Sequence, residues 1–178
     1  MSLNIKNLPI GKDYPEILNA VIEIPKHSRN KYEYDEELDI IKLDRVMHSP
    51  LIYPADYGFV PETRAEDGDH LDVLVLTGSP AMTGTMLEVR PVGVMHMKDG
   101  GVPDEKIITV QANNPRYVEI KDLEDLREHT LLELKHFFEE YKKLENKEVE
   151  IDGFEGREKA IEILRKSHEE YLKETRVS

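Results

Sequence analysis

The segment Leu71-Asp72-Val73-Leu74-Val75-Leu76 is an apolar run that directly follows the acidic loop Glu66-Asp67-Gly68-Asp69-His70. A short run of branched aliphatic residues predicts a buried β-strand. Apolar segments of similar length lie on both sides of it, separated by Pro, Gly or polar residues. The other predicted strands lie at 20–25, 87–94 and 107–110, a further strand begins at 32–34, and short apolar pieces at 38–43 and 46–47 continue the pattern. Many short strands with short connections are typical of a β-barrel.

The last third of the chain has a helical pattern instead. The apolar positions at helical spacing are Leu131, Leu134, Phe138 and Tyr141, and then Ile161, Leu164, His168 and Tyr171. Gly153 and Gly156 predict a loop between these two amphipathic helices. Strands followed by helices predict an α+β fold, a mostly antiparallel barrel with outer helices. We expect one domain over residues 1–178, with an N-terminal extension at 1–14 and a frayed C-terminus at 170–178.

Composition limits the classes of function. The chain has 24 Lys and Arg against 37 Asp and Glu, a net charge of −13, so nucleic acid is not expected as a partner. A small anion still suits the chain as a substrate, provided that metal ions and a few clustered cations neutralise it. The absence of Cys excludes thiolate ligands and cysteine nucleophiles. No apolar stretch approaches the ~20 residues that span a bilayer, so we expect a cytoplasmic protein without a membrane partner.

The acidic loop is the strongest chemical signal. Asp67, Asp69 and Asp72 fall within six residues and repel one another unless a cation is bound. Their hard oxygen ligands suit Mg²⁺, Mn²⁺ or Ca²⁺, and Gly68 allows the tight turn that brings them together. The competing interpretation is a solvated acidic turn. An EF-hand is excluded, because the sixth and twelfth positions counted from Asp67 hold Asp72 and Gly78 where that loop needs Gly and Glu.

Further acidic, basic and phenolic residues are candidates for the same site. Asp99 and Asp104, in the loop 98–106, either complete a multi-metal site or are solvated charges of a hairpin. Candidates for phosphate binding are Lys31, Arg45, Lys106 and Lys142. Each of these cations is also typical of an ordinary surface. Tyr53 and Tyr57 either pack at a barrel corner or donate hydrogen bonds to a phosphate or a metal-bound water.

A series of motifs carries a family resemblance. In order, the motifs are Val21-Ile22-Glu23-Ile24-Pro25, Lys31-Tyr32-Glu33, Asp44-Arg45, Tyr53-Pro54, Tyr57-Gly58, Asp67-Gly68-Asp69, Asp72-Val73, Arg90-Pro91-Val92-Gly93, Asp99, Asp104 with Lys106, His136-Phe137-Phe138 and Tyr141-Lys142. The series covers roughly residues 15–165. It resembles the soluble family I inorganic pyrophosphatases, and a chance match of this ordered length is not credible.

The resemblance implies a five-stranded, OB-like barrel (oligonucleotide-binding topology) with a site at its mouth. The implied ligands of several Mg²⁺ ions, with Mn²⁺ as a substitute, are Asp67, Asp69, Asp72, Asp99 and Asp104. The implied catalytic residues are Asp69, Tyr57 and Arg45, with Asp69 assisting the attacking water. The implied substrate-binding residues are Lys31, Arg45, Tyr57, Lys106, Tyr141 and Lys142. The implied supporting residues are Glu23, Glu33 and Tyr53.

The function that the resemblance implies is hydrolysis of inorganic pyrophosphate to two orthophosphates, by direct attack of a metal-activated water. It also implies a homo-oligomer, with a hexamer favoured. A nucleoside triphosphatase is poorly supported, because the chain has no phosphate-binding Gly-x-x-x-x-Gly-Lys-Ser/Thr loop. A nucleic-acid module would need a basic groove with aromatic platforms. An inactive metal-binding interaction protein stays open as an alternative.

Three positions depart from the family pattern. His70 stands where the family usually has Pro or Glu, Gly100 where many members have an acid, and Asp56 where Asn is more common. None of these departures removes an implied ligand. We expect His70 to face solvent; the alternative is that the neighbouring carboxylates make it easier to protonate.

Overall fold

The computed structural model describes residues 4–177. Within that range there are nine strands and two α-helices. The strands are β1 (Leu18–Ile24), β2 (Asn30–Asp35), β3 (Ile40–Val46), β4 (Asp56–Phe59), β5 (Asp72–Leu76), β6 (Met86–Asp99), β7 (Val102–Pro103), β8 (Lys106–Gln111) and β9 (Val149–Gly156), and the helices are α1 (Glu128–Glu140) and α2 (Arg157–Val177). Residues 1–3 of the expected N-terminal extension and Ser178 of the expected frayed C-terminus lie outside the described residues.

Five strands close into a ring. Their order is β1-β4-β5-β8-β6, and β6 pairs back with β1. The pair β5–β8 is parallel, whereas the other four pairs of the ring are antiparallel. Strands β7 and β9 extend the sheet from β6, and β2 with β3 forms a separate two-stranded hairpin. The α+β fold class, with five mostly antiparallel strands and two C-terminal helices, is confirmed.

Strand β6 is the longest strand of the described chain, at 14 residues. Its first residues pair with β1, its middle pairs with β8, and its last seven residues pair with β9. The register with β8 shifts between Pro91 and Gly93. Proline lacks an amide hydrogen and is tolerated in a sheet at such irregularities. With this shift and its length, β6 pairs with β1, β8 and β9 and closes the ring.

Two segments that the sequence pattern left outside strands are strands in the structure. The loop predicted around Gly153 and Gly156 is part of β9, which pairs along β6. Gly153 has a φ of 134°, and it lies where the β6–β9 register shifts. The segment containing Tyr57, described as a barrel corner, forms β4 between β1 and β5.

The two helices cover opposite parts of the core. Helix α1 buries Leu134, Phe137 and Phe138 in one apolar cluster, which also contains residues of β6 and β8. Helix α2 buries Ala160 and Leu164 in a second cluster built on β1, β5 and β8. Among the described residues, no helix has the length and apolar character needed to cross a membrane. Each helix therefore covers part of the strand ring, and the end of the ring where β5 and β8 begin is left open as a cleft.

Candidate active site

The strand pairing brings aspartates from distant parts of the sequence to the open end of the ring. Asp72 begins β5 and pairs with Lys106, the first residue of the parallel strand β8. Strand β6 runs antiparallel to β8, so its last residue, Asp99, reaches the same end. Asp104 directly follows β7 and lies two residues before β8, because the β6–β7 hairpin returns the chain there. The two acidic segments separated in the sequence thus form one surface.

Lys106 lies at the centre of these carboxylates. Its side chain is 2% exposed, and its ammonium group donates hydrogen bonds to Asp72 and Asp104. Burial alone would lower the pKa of Lys106, but the two carboxylates more than offset this and raise it. Burial raises the pKa of Asp104 to about 6, with Lys106 opposing and Asp72 adding to the rise. Lys106 is therefore a permanent cation inside the carboxylate cluster.

Tyr57 connects this cluster to the aromatic core. Its hydroxyl donates to Asp72 Oδ2 at 2.6 Å, and the Lys106 ammonium lies 5.6 Å from its ring centroid. Burial raises the pKa of Tyr57 well above its usual value, and the nearby Asp72 carboxylate raises it further. The phenol therefore stays protonated and remains a hydrogen-bond donor. Tyr53 packs behind it, with ring centroids 5.7 Å apart.

The hairpin β2–β3 forms the opposite wall. Lys31 and Arg45 are paired across the two strands, so both cations project from one position of the hairpin. Lys31 contacts Glu33, and Arg45 donates to Asp44 at 2.6 Å and to Glu145 at 3.2 Å. Burial lowers the pKa of Lys31, although Asp44 opposes that change. The hairpin thus presents a guanidinium and an ammonium toward the aspartates.

Glu23 lies between the ring and the hairpin. It belongs to β1, is 8% exposed, and accepts a hydrogen bond from the Tyr34 amide at 2.6 Å. Burial raises its pKa to about 8, although the Tyr34 hydrogen bond opposes the rise. Its carboxyl group therefore links β1 to the hairpin in place of a backbone pairing.

The end of α1 completes the cleft. Tyr141 and Lys142 directly follow the helix; the Tyr141 amide donates to the Phe137 carbonyl at 2.9 Å, and the Lys142 ammonium contacts Asp99. Burial raises the pKa of Tyr141, and Asp99 adds to that rise. Both side chains are placed by the apolar face of α1, which anchors Phe137 in the core.

The acidic loop before β5 is held by its own backbone. The Asp69 amide donates to Asp67 Oδ1 at 3.0 Å, and the Ala65 amide donates to the Asp69 carbonyl at 2.8 Å. Gly68 has a φ of 91°, the left-handed conformation that the predicted tight turn requires. Burial raises the pKa of Asp69, and the charges of Asp67 and Asp72 raise it further. Asp69 is thus more basic than an isolated aspartate.

These groups line one cleft of about 390 Å³. All the site residues proposed from the sequence line it, with the exception of Tyr53: these are Glu23, Lys31, Glu33, Arg45, Tyr57, Asp67, Asp69, Asp72, Asp99, Asp104, Lys106, Tyr141 and Lys142. Tyr53 is 1% exposed and packs against Phe137 in the core, with ring centroids 4.8 Å apart. Its interpretation as a packing residue is the one that this placement favours.

The donor set fits hard divalent cations. Five aspartate carboxylates converge on the cleft, and oxygen-rich sites of this kind suit Mg²⁺. Within residues 4–177, no three carboxylate or imidazole groups are placed around a single point as they stand. Lys106 lies between Asp72 and Asp104, and Lys142 contacts Asp99. The ammonium groups neutralise carboxylates that would otherwise be free to turn toward a metal ion.

His70 differs from both sequence-based interpretations. Its side chain is 14% exposed and does not face solvent, and its ring stacks on Phe59 with centroids 4.8 Å apart. Burial lowers the pKa of His70, although Glu36 opposes the change, so the ring is harder to protonate than usual. Tyr34, Glu36 and Phe59 also line the cleft and were missed from the sequence. The one feature of the sequence that could have pointed to them is His70, which departs from the family pattern directly after the motif Asp67-Gly68-Asp69.

The chain was compared with known proteins. The family model described as inorganic pyrophosphatase matches residues 20–172. The inorganic pyrophosphatase of Methanosarcina acetivorans is 47% identical over 161 residues, which cover 90% of this chain and 96% of that protein. The inorganic pyrophosphatase of Thermus thermophilus is 47% identical over 165 residues, covering 91% and 94%.

Solved structures give the same result. The crystal structure of inorganic pyrophosphatase from Thermus thermophilus matches with a TM-score of 0.92 and 45% identity, covering 95% of this chain and 99% of that one. The enzyme from Helicobacter pylori matches with a TM-score of 0.89 and 44% identity, covering 93% and 99%. The sequence similarity and the structural similarity to these proteins both extend over 90% or more of this chain. The chain belongs to the inorganic pyrophosphatase family.

Proposed function

We propose that the chain hydrolyses inorganic pyrophosphate to two orthophosphates in this cleft, with Mg²⁺ as its cofactor. The observation that carries the proposal is the arrangement of two facing surfaces. Five aspartates lie at the open end of the ring, and Lys31 and Arg45 face them from the hairpin. A carboxylate surface suits metal ions and a cationic surface suits phosphate oxygens. The family membership supports the same substrate.

The metal ions would be held by the aspartates of the cleft. We infer that several Mg²⁺ ions, for which Mn²⁺ can substitute, bind Asp67, Asp69, Asp72, Asp99 and Asp104. When bound, these ions lower the pKa of water and neutralise charge on phosphate oxygens. The raised pKa values of Asp69 and Asp104 support this inference, because they reflect burial and unrelieved repulsion that added positive charge would reduce.

The substrate would be held by the cations and phenols of the cleft. Arg45 presents a planar guanidinium that matches two phosphate oxygens, and its contacts with Asp44 and Glu145 limit its motion. Lys31, Lys106 and Lys142 add charge around it. Tyr57 and Tyr141 add protonated phenol donors, and supporting contacts come from Glu23 and Glu33. Such preorganised donors stabilise charge that develops on phosphate during hydrolysis.

Asp69 is the proposed general base. Its carboxylate lines the cleft between Asp67 and Asp72 in the sequence, where it can accept a proton from an attacking water within hydrogen-bond reach. Direct attack by water needs no covalent intermediate, and the chain has no cysteine nucleophile. The proton passes to Asp69 Oδ while the water oxygen forms a bond to phosphorus and the bridging oxygen leaves with the second phosphate.

The remaining features are inferred on more general grounds. We infer that residues 1–178 form a single domain, because both helices pack on the same strand ring. The family resemblance supports an OB-like topology, a homo-oligomer, with a hexamer favoured, and a cytoplasmic location. The strongly acidic cleft gives no support to a nucleic-acid partner, which would require a basic groove.

Phosphate release from pyrophosphate tests the proposal. We expect turnover in excess Mg²⁺, loss of turnover in excess EDTA, and recovery when Mg²⁺ is restored, because the carboxylates alone repel the substrate. Circular dichroism in EDTA serves as the control that the fold persists. Undiminished phosphate release in EDTA would contradict the metal requirement, and no release in Mg²⁺ or Mn²⁺ would contradict the activity.

A further inference from the structure

The hairpin β2–β3 has no strand pairing with the closed ring within the described chain. It nevertheless carries Lys31 and Arg45, and the distance of these two cations from the aspartates affects how they can bind a phosphate. Side-chain contacts must therefore hold the hairpin in place. One of them lies at its tip, where Glu36 begins the turn after β2.

The contact at the tip is a forked ion pair with Arg64. Arg64 Nη1 donates to Glu36 Oε1 at 2.8 Å, and Nη2 donates to Glu36 Oε2 at 3.0 Å. Two parallel hydrogen bonds between planar groups restrict both distance and orientation. The Arg64 side chain is 15% exposed and that of Glu36 is 39% exposed, so solvent screens this pair only in part.

Arg64 itself is anchored to α2. Its amide donates to the Ser167 carbonyl at 2.9 Å, and Ser167 Oγ donates to the Arg64 carbonyl at 2.6 Å. The guanidinium Nε donates to Glu174 at 2.9 Å and lies 5.5 Å from the ring centroid of Tyr171. The guanidinium is thus fixed from the helix side before it reaches the hairpin.

The same tip contacts the acidic loop. His70 Nε2 lies 2.7 Å from Glu36 Oε1, and Arg64 Nη1 lies 3.2 Å from His70 Nδ1. His70 directly follows Asp69 in the sequence, and Arg64 lies three residues before Asp67. Glu36 therefore receives contacts from both ends of the loop that carries these two aspartates.

We propose that Arg64 and Glu36 are positioning residues, which hold the cationic hairpin at a set distance from the aspartate loop. The proposal rests on the pyrophosphatase activity proposed above. Glu36 lines the cleft, but its carboxylate is paired with Arg64 and His70, and neither Glu36 nor Arg64 is assigned a contact with the reacting groups. Loosening the pair lets the hairpin move away from the ring, so the grip of Lys31 and Arg45 on substrate weakens while the aspartates keep their arrangement.

The test compares substitutions at Glu36 and Glu174, the two carboxylates that accept hydrogen bonds from the Arg64 guanidinium. Glu36→Gln weakens the contact between Arg64 and the hairpin. Glu174→Gln, the matched control, weakens the contact between Arg64 and α2. We expect Glu36→Gln to raise KM for pyrophosphate about three- to ten-fold, the scale of one partly exposed forked pair, with kcat within about two-fold of the parent. Glu174→Gln should leave both parameters within about two-fold of the parent, because the two hydrogen bonds between Arg64 and Ser167 still anchor Arg64 to α2.

Two readouts do not depend on turnover. Amide hydrogen exchange across residues 30–46 of the metal-free protein should be faster in Glu36→Gln than in Glu174→Gln. Calorimetric binding of methylenediphosphonate, a pyrophosphate analogue that is not hydrolysed, should weaken by the same factor as KM. In a double-mutant cycle, the effects of Arg64→Gln and Glu36→Gln on KM should be less than additive, because both changes break the Arg64–Glu36 pair.

The possible results distinguish a failure of the positioning role from a failure of the proposed pyrophosphatase activity. If the parent releases no phosphate, the pyrophosphatase assignment fails, and the exchange experiment alone decides whether Arg64 holds the hairpin. If the parent is active and Glu36→Gln has parental KM and parental exchange, the positioning role is overturned. An equal rise of KM in Glu174→Gln would also overturn it, because the effect would then come from general loosening around Arg64.

Discussion

The fully buried carboxylate of Asp56 illustrates what a single departure from the family pattern requires. Asp56 is 0% exposed and accepts hydrogen bonds from the Lys26 amide at 2.7 Å, the Thr77 hydroxyl at 2.8 Å and the Ala81 amide at 3.1 Å. All three partners act as donors, so both carboxylate oxygens are used. The side chain connects three separate segments near the start of β4.

Asp56→Asn should destabilise the fold, although it introduces the residue that the family resemblance leads us to expect there. The amide group of Asn offers one acceptor oxygen and turns its NH₂ toward a donor, which leaves a buried polar group unsatisfied. We expect the free energy of unfolding in urea to fall by about 1–3 kcal/mol, with turnover at saturating substrate near parental. Asp152→Asn, at an exposed residue paired with Lys98, is the control. An unchanged unfolding midpoint would show that the Asp56 contacts adapt to the amide.

The residues that line the cleft could largely be predicted from sequence because the motifs identify them one by one. Asp67, Asp69 and Asp72 lie next to each other in the chain, so their crowding is visible without a structure. The burial of His70 against Glu36 could not be predicted, since these residues are 34 positions apart in the numbering and meet only when the hairpin folds over the loop. Long-range contacts of this kind leave no local pattern.

At the scale of strands and helices, close approach of backbones determines how the ring forms. Gly58 in β4 pairs with Ile22 in β1, and a Cβ atom at Gly58 would lie 1.8 Å from the Val21 carbonyl oxygen. The obstructing atom belongs to the backbone and cannot rotate away. Only a residue without a side chain lets these two strands pair as they do.

Gly58→Ala should therefore separate β4 from β1 and destabilise the protein strongly. We expect the free energy of unfolding to fall by more than about 3 kcal/mol, beyond the usual range of point substitutions, and turnover to fall as well because Tyr57 shifts. Gly78→Ala is the matched control, since its nearest neighbour atom would be the Tyr117 hydroxyl at 4.0 Å. Equal melting temperatures of the two variants would contradict this account of the β1–β4 contact.

Strands and helices whose apolar residues recur with a clear period could be predicted from the sequence, whereas the others could not. The run at 71–76 and the helical spacing around Leu134 correspond to β5 and α1. Strand β4 has only four residues and β9 contains Gly153 and Gly156, and their conformation depends on pairing with β1, β5 and β6. Such tertiary pairing overrides a weak local preference.

For the whole molecule, charge distribution matters more than net charge. The chain carries −13 overall, which opposes an anionic substrate, but its cleft gathers Lys31, Arg45, Lys106 and Lys142 beside the aspartates. The sequence predicted this balance of charges but not its geometry, in which two lysines contact the aspartates directly. Three parts of the fold supply the cleft: the ring end, the hairpin and the end of α1.

Turnover by Asp69→Asn tests whether the Asp69 carboxylate acts as the general base. The substitution keeps the side-chain shape but removes the carboxylate that accepts the proton from water. Asp152→Asn, which removes an exposed carboxylate elsewhere, is the control, and both variants are assayed at saturating Mg²⁺ with the fold checked by circular dichroism. We expect kcat to fall about 10²–10⁴-fold in Asp69→Asn and to stay parental in Asp152→Asn. Near-parental kcat in a folded, metal-saturated Asp69→Asn enzyme would contradict this role of Asp69.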